Sequence, residues 1–175
     1  MKTLRIVAIA FCLLAWPATS SADQLVLPGG PTFLSTGDET VVFNGHVYFA
    51  ADDGAVGNEL WRTNGTTTEL VKDFNTGGPN DDGNPSGFRV AGNRLFFNVG
   101  NNDASPSEGT AVVYYIDSSA PTTTVKTLMP GGGVANGRLL GAVNGTILLR
   151  HLENGNGNYG LYALGGSGST FADID

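Results

Sequence analysis

Cysteine is almost missing from this chain. Of 175 residues only Cys12 is a cysteine, and it lies inside an apolar run near the N-terminus. Phe11 precedes it and more apolar residues follow, so it does not sit after a small residue as a lipid-anchored cysteine would. Without that run the chain has no thiol and no disulfide framework, and its fold must rest on packing and hydrogen bonds. Basic charge is also scarce: nine Lys and Arg against sixteen Asp and Glu give a formal charge of −7. That balance argues against nucleic acid or an anionic membrane surface as a partner. Helical periodicity is absent, because glycine or proline interrupts every window with apolar residues at helical spacing. Histidine is limited to His46 and His151, each at or near a second strand of a different unit, where they read as surface residues and not as members of a zinc site of three or four His, Cys or carboxylate ligands. No GxSxG elbow is present for a serine hydrolase.

The apolar run has a meaning of its own. Lys2 and Arg5 precede the stretch Ile6 to Trp16, and a polar segment then places Ser20 and Ala22 three and one residues before Asp23. The run is shorter than the roughly 20 residues that span a bilayer, so residues 1–22 read as a cleavable signal peptide. The expectation is export to the periplasm or the medium, with no membrane attachment after cleavage. Two basic residues leave with the leader, which moves the formal charge from −7 to −9. Residues 23–175 are long enough for one domain with a real core.

What is plentiful is glycine, 26 residues of it, with many Asn, Thr and Asp. These are turn residues, and the fold class they indicate is all-β. Tight-turn dipeptides Asn44-Gly45, Gly92-Asn93 and Asn144-Gly145 recur with a period of about 50 residues, in the range of propeller blades. Three units align, over approximately 36–74, 86–128 and 137–175. Each reads as four short strands, with a two-residue hairpin between the first and second. In the second strand of the first unit Val47 and Phe49 alternate with His46 and Tyr48, the period of a strand with two distinct faces. The third strand carries an aromatic: Trp61, then Tyr114 and Tyr115, then Tyr162. The fourth is "TELVKDF", "TTVKTL" and "STFADI". Near the N-terminus "QLVLPGGPTF" reads as the fourth strand and exit loop of a preceding unit.

The first unit resembles the bacterial ELWxxDGT repeat. Asp53, Gly54, Gly57, Glu59, Leu60, Trp61, Thr63, Gly65 and Thr66 match its motif, as do Leu70, Val71, Lys72 and Asp73. Asn64 stands where the family has Asp, and the spacer before Leu70 is shorter. The match is degenerate in the third unit, at Leu161 and Tyr162, and faint in the second. The resemblance implies β-propeller-like blades in secreted bacterial proteins and no defined activity. Three blades are fewer than the four to eight typical of a closed ring. The expectation is therefore a partial or open array, or a homo-oligomer whose subunits close the ring.

Candidate chemistry is thin. Gly155, Gly157 and Gly160 spell GxGxxG, but a strand follows where a dinucleotide site needs a helix N-terminus. The adjacent pairs Asp52–Asp53 and Asp81–Asp82 suit a glycosidase badly, because neighbouring loop carboxylates point apart. As oxygen donors Asp73, Asn75, Asp81 and Asp82 suit calcium better, although their spacing is not that of an EF-hand. No other cofactor is expected. Trp61, Tyr115 and Tyr162 suit either sugar stacking or repeated core packing, and recurrence once per unit favours the core. Glu59, Leu60, Trp61, Leu161 and Tyr162 are the expected motif core. The functional expectation is a secreted non-enzymatic module binding a glycan, protein or surface. Two alternatives remain open: part of a larger propeller hydrolase or lyase, and a purely structural oligomer-forming unit.

Overall fold

The computed structural model describes residues 30–33, 35–78, 80–100, 112–119, 125–127, 137–153, 158–165 and 172–173. Within them the secondary structure is strand and turn, with no helix. The first four strands are β1 (Ser35–Phe43), β2 (His46–Asp52), β3 (Asn58–Thr63) and β4 (Thr68–Lys72). The next four are β5 (Ser86–Ala91), β6 (Arg94–Val99), β7 (Val112–Asp117) and β8 (Val125–Thr127). The last four are β9 (Gly137–Val143), β10 (Thr146–Glu153), β11 (Asn158–Gly165) and β12 (Ala172–Asp173). They form three antiparallel sheets of four strands, each a meander of consecutive strands. The expected leader and the "QLVL" segment lie outside the described residues. So does most of the fourth strand expected in the third unit, of which only Ala172–Asp173 forms β12.

The turn dipeptides do what their chemistry suggests. Asn44 and Gly45 have φ of 47° and 75°, and Asn144 and Gly145 have 49° and 75°. Both central residues are left-handed, the geometry whose twist matches a right-twisted hairpin. In the second turn Gly92 alone is left-handed, at 58°, so the reversed order Gly-Asn selects the mirror-image turn that needs glycine first. Each first strand also carries a register irregularity against the second, between Thr36 and Thr40, between Ser86 and Arg89, and near Leu139–Gly141. Such irregularities increase local twist and belong to the repeat as much as the turns do.

Counted from those turns, Val47, Leu95 and Ile147 are equivalent, as are Tyr48, Phe96 and Leu148. Strand alternation gives each sheet two faces. The front face carries Val47, Phe49 and Ala51 in the first sheet, and the back face carries Tyr48 and Ala50. One buried cluster joins Phe43, Tyr48 and Leu60 of the first sheet to Leu95, Phe97, Val99 and Ile116 of the second. Another joins Ala91, Phe96 and Val113 of the second sheet to Leu139, Ile147, Leu149 and Leu164 of the third. The back of one sheet thus packs on the front of the next, twice, in the same sense. Each fully buried Phe or Leu in these layers contributes roughly 1.5–3 kcal/mol by leaving water.

The first strands stand side by side, β1 next to β5 and β5 next to β9. Polar bonds tie them. The Glu39 carboxylate on β1 accepts from the Gly87 amide at 2.6 Å and from Arg89 Nη1 at 2.9 Å. Asn98 Oδ1 on the second sheet accepts from the Leu139 amide on the third at 3.3 Å.

A further feature recurs at the front faces. Phe74, just after β4, meets Phe97 and Tyr114 with ring centroids 6.0 and 4.9 Å apart. Phe33, just before β1, meets Phe49 and Trp61 at 5.7 and 4.9 Å. Phe49 and Phe97 are equivalent positions, and Trp61 and Tyr114 lie opposite them in register. The segment leading into a sheet therefore drops one aromatic onto that sheet's front face. The same register corrects one expectation: Tyr114, not Tyr115, shares the position of Trp61 and Tyr162. Tyr115 pairs with Phe96 on the opposite face, where the Arg94 guanidinium lies over its ring at 4.6 Å.

Candidate functional site

The densest polar cluster gathers where β3 begins and the loop from Asp73 to Asn84 returns. Glu59 opens β3 beside Leu60, which is fully buried, and strand pairing with Ala51 holds its backbone. Its side chain has no solvent exposure. Both carboxylate oxygens are taken by main-chain donors of the loop: the Phe74 amide donates to Oε2 at 3.0 Å and the Gly83 amide to Oε1 at 2.7 Å. A Cβ at position 83 would stand 2.6 Å from Oε2 and 3.0 Å from the Phe74 Cβ, so only glycine allows this approach. Burial pushes the Glu59 carboxyl up to about 7; the Asp73 and Asp82 carboxylates act in the same direction, and the two amide bonds oppose it.

Around this centre the loop is tied to Asn58. The Asn58 amide donates to Asp82 Oδ1 at 2.7 Å, its side-chain Nδ2 donates to Asn84 Oδ1 at 2.8 Å, and its carbonyl accepts from the Asn84 amide at 3.0 Å. Asn84 is left-handed, with φ of 47°, as that close return requires. Asn75 donates through Nδ2 to the Asp82 carbonyl at 2.8 Å, and its amide donates to Asp73 Oδ1 at 3.0 Å. The Gly83 carbonyl accepts from the Gly100 amide at 3.0 Å, which carries the network on to the end of the second sheet.

The four residues expected to offer oxygens to calcium are thus placed in one loop, with one Asp73 oxygen, one Asp82 oxygen and the Asn75 amide bonded within the protein. Among the described residues no group of three His, Cys, Asp or Glu side chains is arranged to hold a metal ion. Glu59 is the residue whose titration stands out, yet it offers no acid–base chemistry to a substrate. It is sealed from solvent, and each oxygen already faces an N–H.

The other expected residues are scattered. Asp52 and Asp53 accept from the amides of Gly54 and Ala55 at 2.7 and 2.9 Å and so shape the turn between β2 and β3. His46 Nδ1 lies 3.1 Å from the Asn44 carbonyl, beside the first hairpin turn. His151 belongs to β10, paired with Gly160 of β11. That pairing places Gly160 inside a strand; Gly155 and Gly157 lie outside the described residues. Trp61 is buried at 5% exposure under Phe33, which makes it core and removes it from any sugar-stacking surface. Leu60 is fully buried, while Leu161 and Tyr162 are half-buried.

Sequence reasoning did not single out Glu39, Asn98, Phe33 or Phe74. Nothing in their spacing distinguishes them: Glu39, Asn98 and Phe74 act across a sheet boundary, and Phe33 packs on the first sheet from outside its strands. Glu59 was assigned to the motif core without its task, holding the loop that joins two sheets.

A comparison with protein-family models gives no match, and a comparison with curated proteins gives none either. Among the described residues no helix is long and apolar enough to cross a membrane.

Proposed function

We propose that this chain is a secreted, non-enzymatic repeat module of the propeller type, and that its exposed loops bind an extracellular glycan or protein. One observation carries the non-enzymatic part. The one strongly shifted carboxyl among the described residues, Glu59, is consumed by two main-chain amides that shape a loop. Perturbed acids mark catalytic sites only where a substrate can reach them. The propeller part draws support from three like meanders stacked back to front with their first strands side by side. The resemblance of "GNELWRTNGT" to the ELWxxDGT repeat supports blades in an exported protein.

The loop from Asp73 to Asn84 is the presenting element that the geometry favours. Its ends are pinned at Phe74 and Gly83, while Thr76, Gly77 and Asn80 are exposed at its tip. A rigidly based loop with a free tip loses little order on binding. The test is affinity electrophoresis of the purified chain through gels cast with neutral and with acidic polysaccharides, together with a reducing-end assay on the same polymers. Retardation without release of reducing ends, weakened by Asn80→Ala, is the expected result. Polymer cleavage that Asn80→Ala leaves untouched would overturn the proposal in favour of an enzyme.

A further inference from the structure

The two interior sheet–sheet contacts bury certain positions completely, and some of the same positions at the two ends of the stack are only half-buried. On back faces, Tyr48 and Phe96 are 1% and 0% exposed, but their equivalent Leu148 in the third sheet is only half-buried. On the same back faces, opposite Ala50, Asn98 and Arg150 in register, Leu60 and Val113 are fully buried while Leu161 is half-buried. Front faces show the mirror trend. Leu95 and Ile147 are fully buried, yet Val47 of the first sheet is not.

Among the described residues, four of the six exposed large apolar side chains lie on these two end faces; the other two, Val90 and Leu140, lie on β5 and β9. Val42 pairs with Val47 and Leu70 with Trp61, so both lie on the front of the first sheet; they are 71% and 37% exposed. Val143 pairs with Thr146 and Tyr159 with Leu152, so both lie on the back of the third sheet, at 53% and 37%. Single exposed apolar residues are ordinary, but clusters at matching surfaces mark contact sites.

Phe33 does not block the front face of the first sheet. Phe74 occupies the corresponding place on the second sheet, and the back of the first sheet packs there beside it. A leading aromatic and a stacked sheet coexist at that interface.

We infer that a second copy of this chain docks at each end, the back of its third sheet on the front of the first sheet, repeating the interior contacts head to tail. The contact is heterologous: one patch meets a different patch, so it either closes a ring or continues as a chain of copies. This inference is independent of which ligand the loops take.

The test uses the chain secreted by an expression host and purified as that host processes it. Light scattering after size exclusion gives its mass over a hundredfold range of concentration, for wild type, Val42→Lys and Val143→Lys. Both positions are more than half exposed, so neither lysine disturbs a packed core; thermal unfolding checks that each variant keeps the wild-type midpoint. Wild type is expected above one-chain mass, and each variant alone at one-chain mass. An equimolar mixture of the two variants is expected to reach two chains and no more, because each supplies the face the other lacks. A wild type of one-chain mass throughout overturns the inference. So does assembly that only one of the two lysines abolishes, since that pattern means like face meets like face.

Discussion

Replacing Glu59 by Gln tests the assignment of its carboxyl as a buried loop anchor. The group's ordinary value is 4.5, and in the folded chain burial raises it to about 7. Between those values the folded protein holds a proton that the unfolded chain has released, so stability falls as pH rises. The contribution is fully present below about 4.5 and is lost as pH passes through 7. The shift of about 2.5 pH units corresponds to about 3 kcal/mol, at 1.36 kcal/mol per unit. Gln carries no charge at any pH, so Glu59→Gln removes this slope. It also turns an amide group toward one of the two N–H donors, which costs about 1–3 kcal/mol at every pH. Urea unfolding at pH 4.5, 6 and 8, followed by Trp61 fluorescence, gives both numbers. Wild type is expected to lose about 3 kcal/mol across that range beyond whatever the variant loses. Equal slopes in the two proteins would refute the reasoning, because the carboxyl would then titrate as an exposed one.

Gly83→Ala is expected to destabilise by about 1–3 kcal/mol, since its methyl meets Glu59 Oε2 at 2.6 Å; denaturant midpoints measure it. Phe33→Ala removes a side chain of 1% exposure from Phe49 and Trp61 and is expected to cost about 3–5 kcal/mol, with a red-shifted Trp61 emission. Asp117 is held below the usual aspartate range by bonds from the Ser119 hydroxyl and amide and by Arg94, so its share of stability is present above about 4 and is lost only in stronger acid. Asp117→Asn is therefore expected to flatten the acid limb below pH 4, in acid-unfolding curves, without altering the slope assigned to Glu59. Added calcium is expected to leave the thermal midpoint unchanged, because one oxygen each of Asp73 and Asp82 already bonds within the loop; a rise of several degrees at millimolar calcium would instead show that the loop takes the cation.

The architecture is legible in the sequence wherever it is local. Asn44-Gly45 and Asn144-Gly145 announce hairpins by their own backbone preferences, and "HVYFAA" announces its two faces by alternation. Four strands per unit followed from counting turns. What acts between units was hidden. Glu39 reaches Gly87 and Arg89 across some fifty positions, and no short-range pattern encodes that reach. Tyr115 was aligned with Trp61 because both are aromatic and follow a second strand; a one-residue offset in register sends Tyr115 to the opposite face. Glu59 carried a motif but no visible role, since a carboxyl that binds backbone amides leaves no mark on the partner's residue types. The signal peptide, the exported destination and the family resemblance rest on the sequence alone.

The back-to-front stacking has an evolutionary corollary. A unit whose two faces match its neighbours on both sides can be duplicated in tandem, or lost, without redesigning any contact, because the newcomer meets surfaces already shaped for it. The connecting loops are then free to diverge copy by copy while the sheets that carry them stay interchangeable. An array built this way lengthens or shortens by gene duplication, one sheet at a time.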